Sequence, residues 1–147
     1  MKPLVVLAFA LFSFTYAQSQ ILAPVSWSYG SKKTSATESI LYLKANITSG
    51  WHIYSQNIPK GDRIKTIITF SPSKSYRLIG QTLEPKPISK YEDVLSMNIS
   101  YFEKLAVFQQ KIKISDKNPV IKGSIEYMVC NDHTCLPKET VPFSIKL

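Results

Sequence analysis

A chain of 147 residues that is 44% hydrophobic and 12% aromatic holds enough apolar material for a folded core, which excludes a disordered chain. Its formal charge of +8 is nearly all lysine, with Arg63 and Arg77 the only arginines, so no cluster of arginine and aromatic residues marks a nucleic-acid surface. Lysines scattered along strands read instead as a solvated face that also blunts sheet edges.

In chain order, the first element is a targeting segment. Lys2 supplies a positive start, Leu4 to Phe14 is an apolar stretch too short to span a bilayer, and Thr15-Tyr16-Ala17 ends on small residues suited to signal peptidase. Residues 1–17 therefore read as a secretory signal, with the mature chain expected to start near Gln18. An uncleaved anchor is the competing reading, disfavoured by the short apolar core and by Gln18-Ser19-Gln20. No cysteine follows the apolar run, which argues against a lipoprotein anchor at that site. About 130 residues remain, enough for a single domain over 18–147 and too few for two. With no second long apolar run, that domain is expected to be soluble after export or tethered through a partner.

Every later element reads as β. Val25 to Tyr29 and Ser39 to Ile47 alternate with the period of a pleat. Further strands are expected at Trp51 to Tyr54, Lys65 to Phe70, Tyr76 to Ile79, Leu105 to Ile114, Val120 to Val129 and Val141 to Lys146. Breakers separate them at Ser49-Gly50, Pro59-Lys60-Gly61-Asp62, Ser71-Pro72-Ser73 and Asp116-Lys117-Asn118-Pro119. Short strands between turn signals, without a helical period, predict an all-β fold, an immunoglobulin-like β-sandwich, with a closed barrel as the alternative. Between Leu83 and Asn98 the rhythm breaks, and this stretch is expected to be a long loop of the kind that forms lids or binding surfaces. No internal repeat or low-complexity segment is present. Asn46-Ile47-Thr48 and Asn98-Ile99-Ser100 fit the glycosylation sequon, which matters only in a host that modifies it.

Chemistry concentrates near the carboxyl end. Cys130 and Cys135 are the only cysteines, with four residues between them. That spacing suits a hairpin whose strands bring the sulfurs within bonding reach, and an oxidising compartment favours the bond. Three readings compete. A structural staple closing so short a loop constrains the unfolded chain by only about 2 kcal/mol in the loop-entropy account. A metal site would draw on Cys130, His133 and Cys135, with Met97, Met128 and His52 as further donors, a soft set suited to copper(I) or zinc. The spacing matches no zinc-finger pattern and a fourth ligand is not evident, so neither metal nor cofactor is the favoured expectation. Redox exchange is the third reading: a thiolate attacks a partner disulfide and the second cysteine resolves the mixed bond.

The segments Gly50-Trp51-His52-Ile53-Tyr54, Lys90-Tyr91-Glu92-Asp93-Val94-Leu95, Tyr101-Phe102, Leu105-Ala106-Val107-Phe108, Tyr127-Met128-Val129-Cys130 and Cys135-Leu136-Pro137 occur in one order over almost the whole mature chain. Together they resemble the N-terminal periplasmic domain of DsbD, the thiol:disulfide interchange protein. The resemblance implies an immunoglobulin-like domain that takes reducing equivalents from a membrane-embedded partner and passes them to periplasmic thioredoxin-fold proteins. Those proteins reduce misformed disulfides or serve cytochrome c maturation.

By the same resemblance Cys130 and Cys135 are the redox pair, with Cys135 bonding the partner. Glu92 and Asp93 fall on the acidic positions of a cap loop, and His52 and Tyr54 on aromatic positions lining the site; Tyr127 is expected either there or in the core. Two departures stand out. Val94, followed by Leu95, takes the position where the family presents an aromatic ring to the disulfide, so gating is expected to be weaker or shared with Met97. His52 replaces one of two site tyrosines and brings a group that titrates near neutrality. With the sequence ending at Leu147, the expected electron donor is a separate membrane-embedded protein. An adhesion or scaffold module of the same fold, holding an inert bridge, is the alternative.

Overall fold

Alternation decides which side of each strand meets the core. In a computed structural model describing residues 22–59, 63–92 and 96–147, the second strand buries Leu41, Leu43, Ala45 and Ile47 and turns Lys44 and Asn46 to solvent. The expected signal segment lies outside the described residues, as do Asp93, Val94 and Leu95 of the cap loop.

Eleven strands and no helix occur among the described residues: β1 (Val25–Lys33), β2 (Glu38–Ile47), β3 (His52–Tyr54), β4 (Ile67–Phe70), β5 (Tyr76–Leu83), β6 (Ile88–Glu92), β7 (Met97–Glu103), β8 (Leu105–Ile114), β9 (Val120–Tyr127), β10 (Val129–Cys130) and β11 (Glu139–Lys146). They form three antiparallel sheets, ordered β1-β2-β8-β5, β10-β3-β7-β6 and β11-β9-β4. The sheets pack as an immunoglobulin-like β-sandwich over one apolar core, to which Leu41, Leu43, Ile53, Phe108, Ile112, Ile121 and Ile125 contribute fully buried side chains. Aromatic rings join the layers: Trp27 of β1 meets Tyr127 of β9 at 5.5 Å, and Phe102 of β7 meets Phe108 of β8 at 5.6 Å, both edge-on. Each sheet ends in unclosed edges, which decides against the barrel.

Two expectations need correction. The stretch from Leu83 to Asn98 is not one long irregular loop, because β6 and the start of β7 pair across it from Ile88↔Tyr101 to Glu92↔Met97. β6 escapes a pattern search because it is an edge strand, with Ile88, Ser89, Lys90 and Tyr91 all exposed. The strand expected over Val120 to Val129 is two, divided at Met128. β9 pairs with β4 and β11, whereas β10 crosses to pair with β3 in another sheet.

Tyr127 belongs to the core rather than to the cysteine site. It is 2% exposed, and its hydroxyl donates to Oε2 of Glu139 at 2.7 Å. Burial first, and that hydrogen bond second, push its phenol well above the ordinary value of 10.0. The unfolded chain therefore loses this proton at a pH where the folded chain keeps it, so Tyr127 stabilises the fold below about pH 10 and ceases to do so as pH rises through the folded value. Tyr127→Phe is expected to cost about 1 kcal/mol at neutral pH. It should also make the alkaline loss of stability shallower, read as denaturant midpoints from about pH 8 to about pH 11. Tyr29 and Tyr76, also raised by burial, account for the slope that stays.

Candidate functional site

β3 is flanked by β10 on one side and β7 on the other, and the register aligns residues in rows across the three strands. Val129, Ile53 and Phe102 form one row; Cys130, His52 and Glu103 form the next. Successive residues of a strand point to opposite faces, so the first row enters the main core and the second faces away from it. On that second face Tyr54, Ile58, Ile99 and Cys130 make a small apolar cluster, extended by Met97, Tyr101 and Met128.

A tight turn brings the sulfurs together. The side chain of Asn131 accepts hydrogen bonds from the backbone N–H of His133 at 2.9 Å and of Thr134 at 2.8 Å, the local closure that asparagine gives to turns. The N–H of Asn131 donates to Thr134 O, and that of Leu136 to Val129 O, both at 2.9 Å, so the chain returns alongside β10. Cys130 and Cys135 form a β-bridge and are joined by a disulfide. Their surroundings differ sharply: Cys130 is 1% exposed, while Cys135 is exposed on the returning segment.

Beside the bridge lies a cleft of about 450 Å³. β3 contributes His52 and Tyr54 to its wall, and β7 contributes Ile99, Tyr101 and Glu103. Lys90 of β6 and Asp132 of the turn add charges of opposite sign. The His52 ring packs beside two tyrosines, 5.3 Å from Tyr54 and 5.0 Å from Tyr101. Burial holds its imidazole below the usual histidine value; Glu103 and Asp132 pull upward and Lys90 downward, leaving the neutral ring favoured at neutral pH.

The match to the family of the thiol:disulfide interchange protein DsbD, N-terminal, runs over residues 18–146. The chain belongs to this family. Three solved structures share its fold. The DsbD n-terminal domain of Neisseria meningitidis in the reduced form is 16% identical with a TM-score of 0.50, over 73% of this chain and 76% of that one. The N-terminal periplasmic domain of ScsB from Proteus mirabilis is 17% identical with a TM-score of 0.55, over 84% of this chain and 45% of that one. The complex between the DsbD N-terminal and PilB N-terminal domains of Neisseria meningitidis gives 14% identity and a TM-score of 0.56, over 85% of this chain and 87% of that one. No curated protein sequence gives a significant match.

Of the residues expected at the site of this DsbD N-terminal domain, the fold brings together Cys130, Cys135, His52 and Tyr54. Tyr127 is directed elsewhere, and His133 is exposed on the turn. No group of three or more His, Cys, Asp or Glu side chains arranged for a metal ion occurs among the described residues. Glu92 pairs in register with Met97 at the end of the β6–β7 hairpin, directly before Asp93. The hairpin's described part supplies Lys90 and Ile99 to the cleft. Its approach is tied down by Glu84, whose carboxylate accepts from Ser55 Oγ at 2.6 Å, the Gln56 N–H at 2.8 Å and Asn57 Nδ2 at 2.9 Å, just beyond β3.

Lys90, Ile99, Tyr101, Glu103 and Asp132 were not singled out as site residues by sequence. The period-2 pattern Met97, Ile99, Tyr101 was present as a signal. Its alignment with His52 and Cys130 depends on pairing between segments far apart in the chain.

Proposed function

We propose that this chain is an exported thiol:disulfide interchange domain that carries reducing equivalents on the Cys130/Cys135 pair to thioredoxin-fold proteins of the periplasm. Residues 1–17 direct export and 18–147 form the working domain, which receives its electrons from a membrane-embedded donor. The observation that carries this reading is the asymmetry of the bridge: Cys135 is an exposed residue, and Cys130 is buried beside a cleft. In the reduced domain the Cys135 thiolate attacks a partner disulfide, forming a Cys135–partner bond and releasing one partner sulfur as thiolate. Cys130 then attacks Cys135, the mixed bond breaks, and the second partner sulfur leaves; the pair is oxidised and the partner reduced.

The acidic segment Glu92, Asp93, Val94 and Leu95 is assigned the role of a cap that limits unselective exchange until a partner docks. Docking of a protein domain is in keeping with the relative solved together with a PilB domain. A mere staple is a weaker account, since closing four residues adds only about 2 kcal/mol.

Dithiothreitol titration of the folded chain, with free thiols trapped by maleimide and counted by mass, tests the reading. The bridge is expected to open at millimolar reductant while the unfolding midpoint stays cooperative, and to close again on oxidation. A bridge that opens only after denaturation would assign the chain to the inert module.

A further inference from the structure

Sheltering Cys130 creates a difficulty for the second step of exchange. Cys130 is 1% exposed and meets bulk water only by way of the cleft it lines, so few solvent molecules stand ready to take its proton. Yet Cys130 must become a thiolate to attack Cys135. Directly across the strand pair stands His52, on the same face of the sheet and on the wall of the same cleft. Cross-strand partners of this kind hold their Cβ atoms about 5 Å apart. The Tyr54 and Tyr101 rings, opposite each other across β3 and β7, both pack against the imidazole.

We propose that His52 is the proton acceptor for Cys130 during resolution of the mixed disulfide, an inference that rests on the interchange reading above. The Cys130 S–H gives its proton to an imidazole nitrogen, and the resulting thiolate attacks Cys135 Sγ. The bond between Cys135 and the partner breaks, and its electron pair leaves on the partner sulfur. When electrons flow the other way the step reverses: an incoming thiolate attacks Cys135, the Cys130–Cys135 bond opens, and the imidazolium returns the proton to Cys130.

The charges around the ring suit this task. Neutral imidazole, the form burial favours, is the form that accepts a proton. Glu103 on β7 and Asp132 on the turn stabilise the imidazolium once formed, and Lys90 on β6 opposes it, so the ring releases the proton again. Tyr54 and Tyr101, the other titratable side chains against it among the described residues, serve as packing surfaces.

A small disulfide probe separates the two steps. Reduced protein mixed with Ellman's reagent should release one thionitrobenzoate as Cys135 attacks and a second as Cys130 resolves the adduct. In His52→Gln the first release is expected to keep its rate, while the second slows by about tenfold to a hundredfold at neutral pH and loses the inflection contributed by the histidine. Added imidazole should restore part of that rate. His52→Tyr, which keeps a ring beside the two tyrosines, should show the same defect if the variants fold with wild-type melting behaviour. A normal second phase with an unchanged pH profile in both variants overturns the role of His52 and leaves interchange standing. A wild-type chain that releases no thionitrobenzoate overturns interchange itself, and this inference with it.

Discussion

Replacing Cys130 by serine is expected to turn a passing contact with partner proteins into a covalent complex joined through Cys135. The exposed sulfur keeps its access, whereas the sheltered one that would cut the mixed bond is gone. Resolution then depends on an external thiol. Because an intramolecular attack is replaced by a bimolecular one, release should slow by about a thousandfold or more. Cys130→Ser expressed from the full sequence in the native host, then analysed without reductant, should yield adducts whose attached proteins mass spectrometry identifies as thioredoxin-fold. Cys135→Ser should yield none, because the remaining sulfur lies out of reach of a docking protein. Adducts formed equally through either cysteine would contradict the assigned order of attack, and a clean monomer from both variants would contradict exchange altogether.

The largest effect on stability is expected far from the sulfurs, at Gly123. This residue lies in β9 between two partners, opposite Phe70 of β4 and Phe143 of β11. A Cβ added there would stand 2.2 Å from the backbone oxygen of Thr69 and 2.4 Å from Cζ of Phe143. The ring could move only by disturbing its contacts with Phe70, at 5.4 Å, and Tyr29, at 5.6 Å. The carbonyl could move only by straining the β4–β9 ladder. Gly123→Ala should therefore lower the unfolding free energy by about 3 kcal/mol, read from denaturant melts, although alanine normally suits a strand better than glycine does. A loss below about 1 kcal/mol would mean that β4 shifts freely and that Phe143 does not pack over the backbone as described.

Strand β2 is written plainly in the sequence, since it alternates and buries its apolar row, whereas β8 is legible as a long strand although its buried row includes Gln110. β6 is not, because an edge strand with little buried surface has no apolar period to show. Nor is the division at Met128, where both neighbouring segments are apolar and the chain simply changes sheets. Tyr127 illustrates the same gap at the level of one side chain. It stands three residues from Cys130, yet β9 belongs to a different sheet and carries the ring into the main core beside Trp27.

From sequence alone came the class of fold, the cysteine pair with its resemblance to DsbD N-terminal domains, and two of the aromatic positions beside it. Those features are local: alternation within a strand and motifs within a few residues. Tertiary structure alone decided that Cys130 is hidden while Cys135 is open, and that Glu103, Lys90 and Tyr101 share a cleft with them. It also put His52 across the strand pair from the buried sulfur. Burial and cross-strand register arise from pairing between distant segments, where a shift of one residue would turn each of these side chains to the other face.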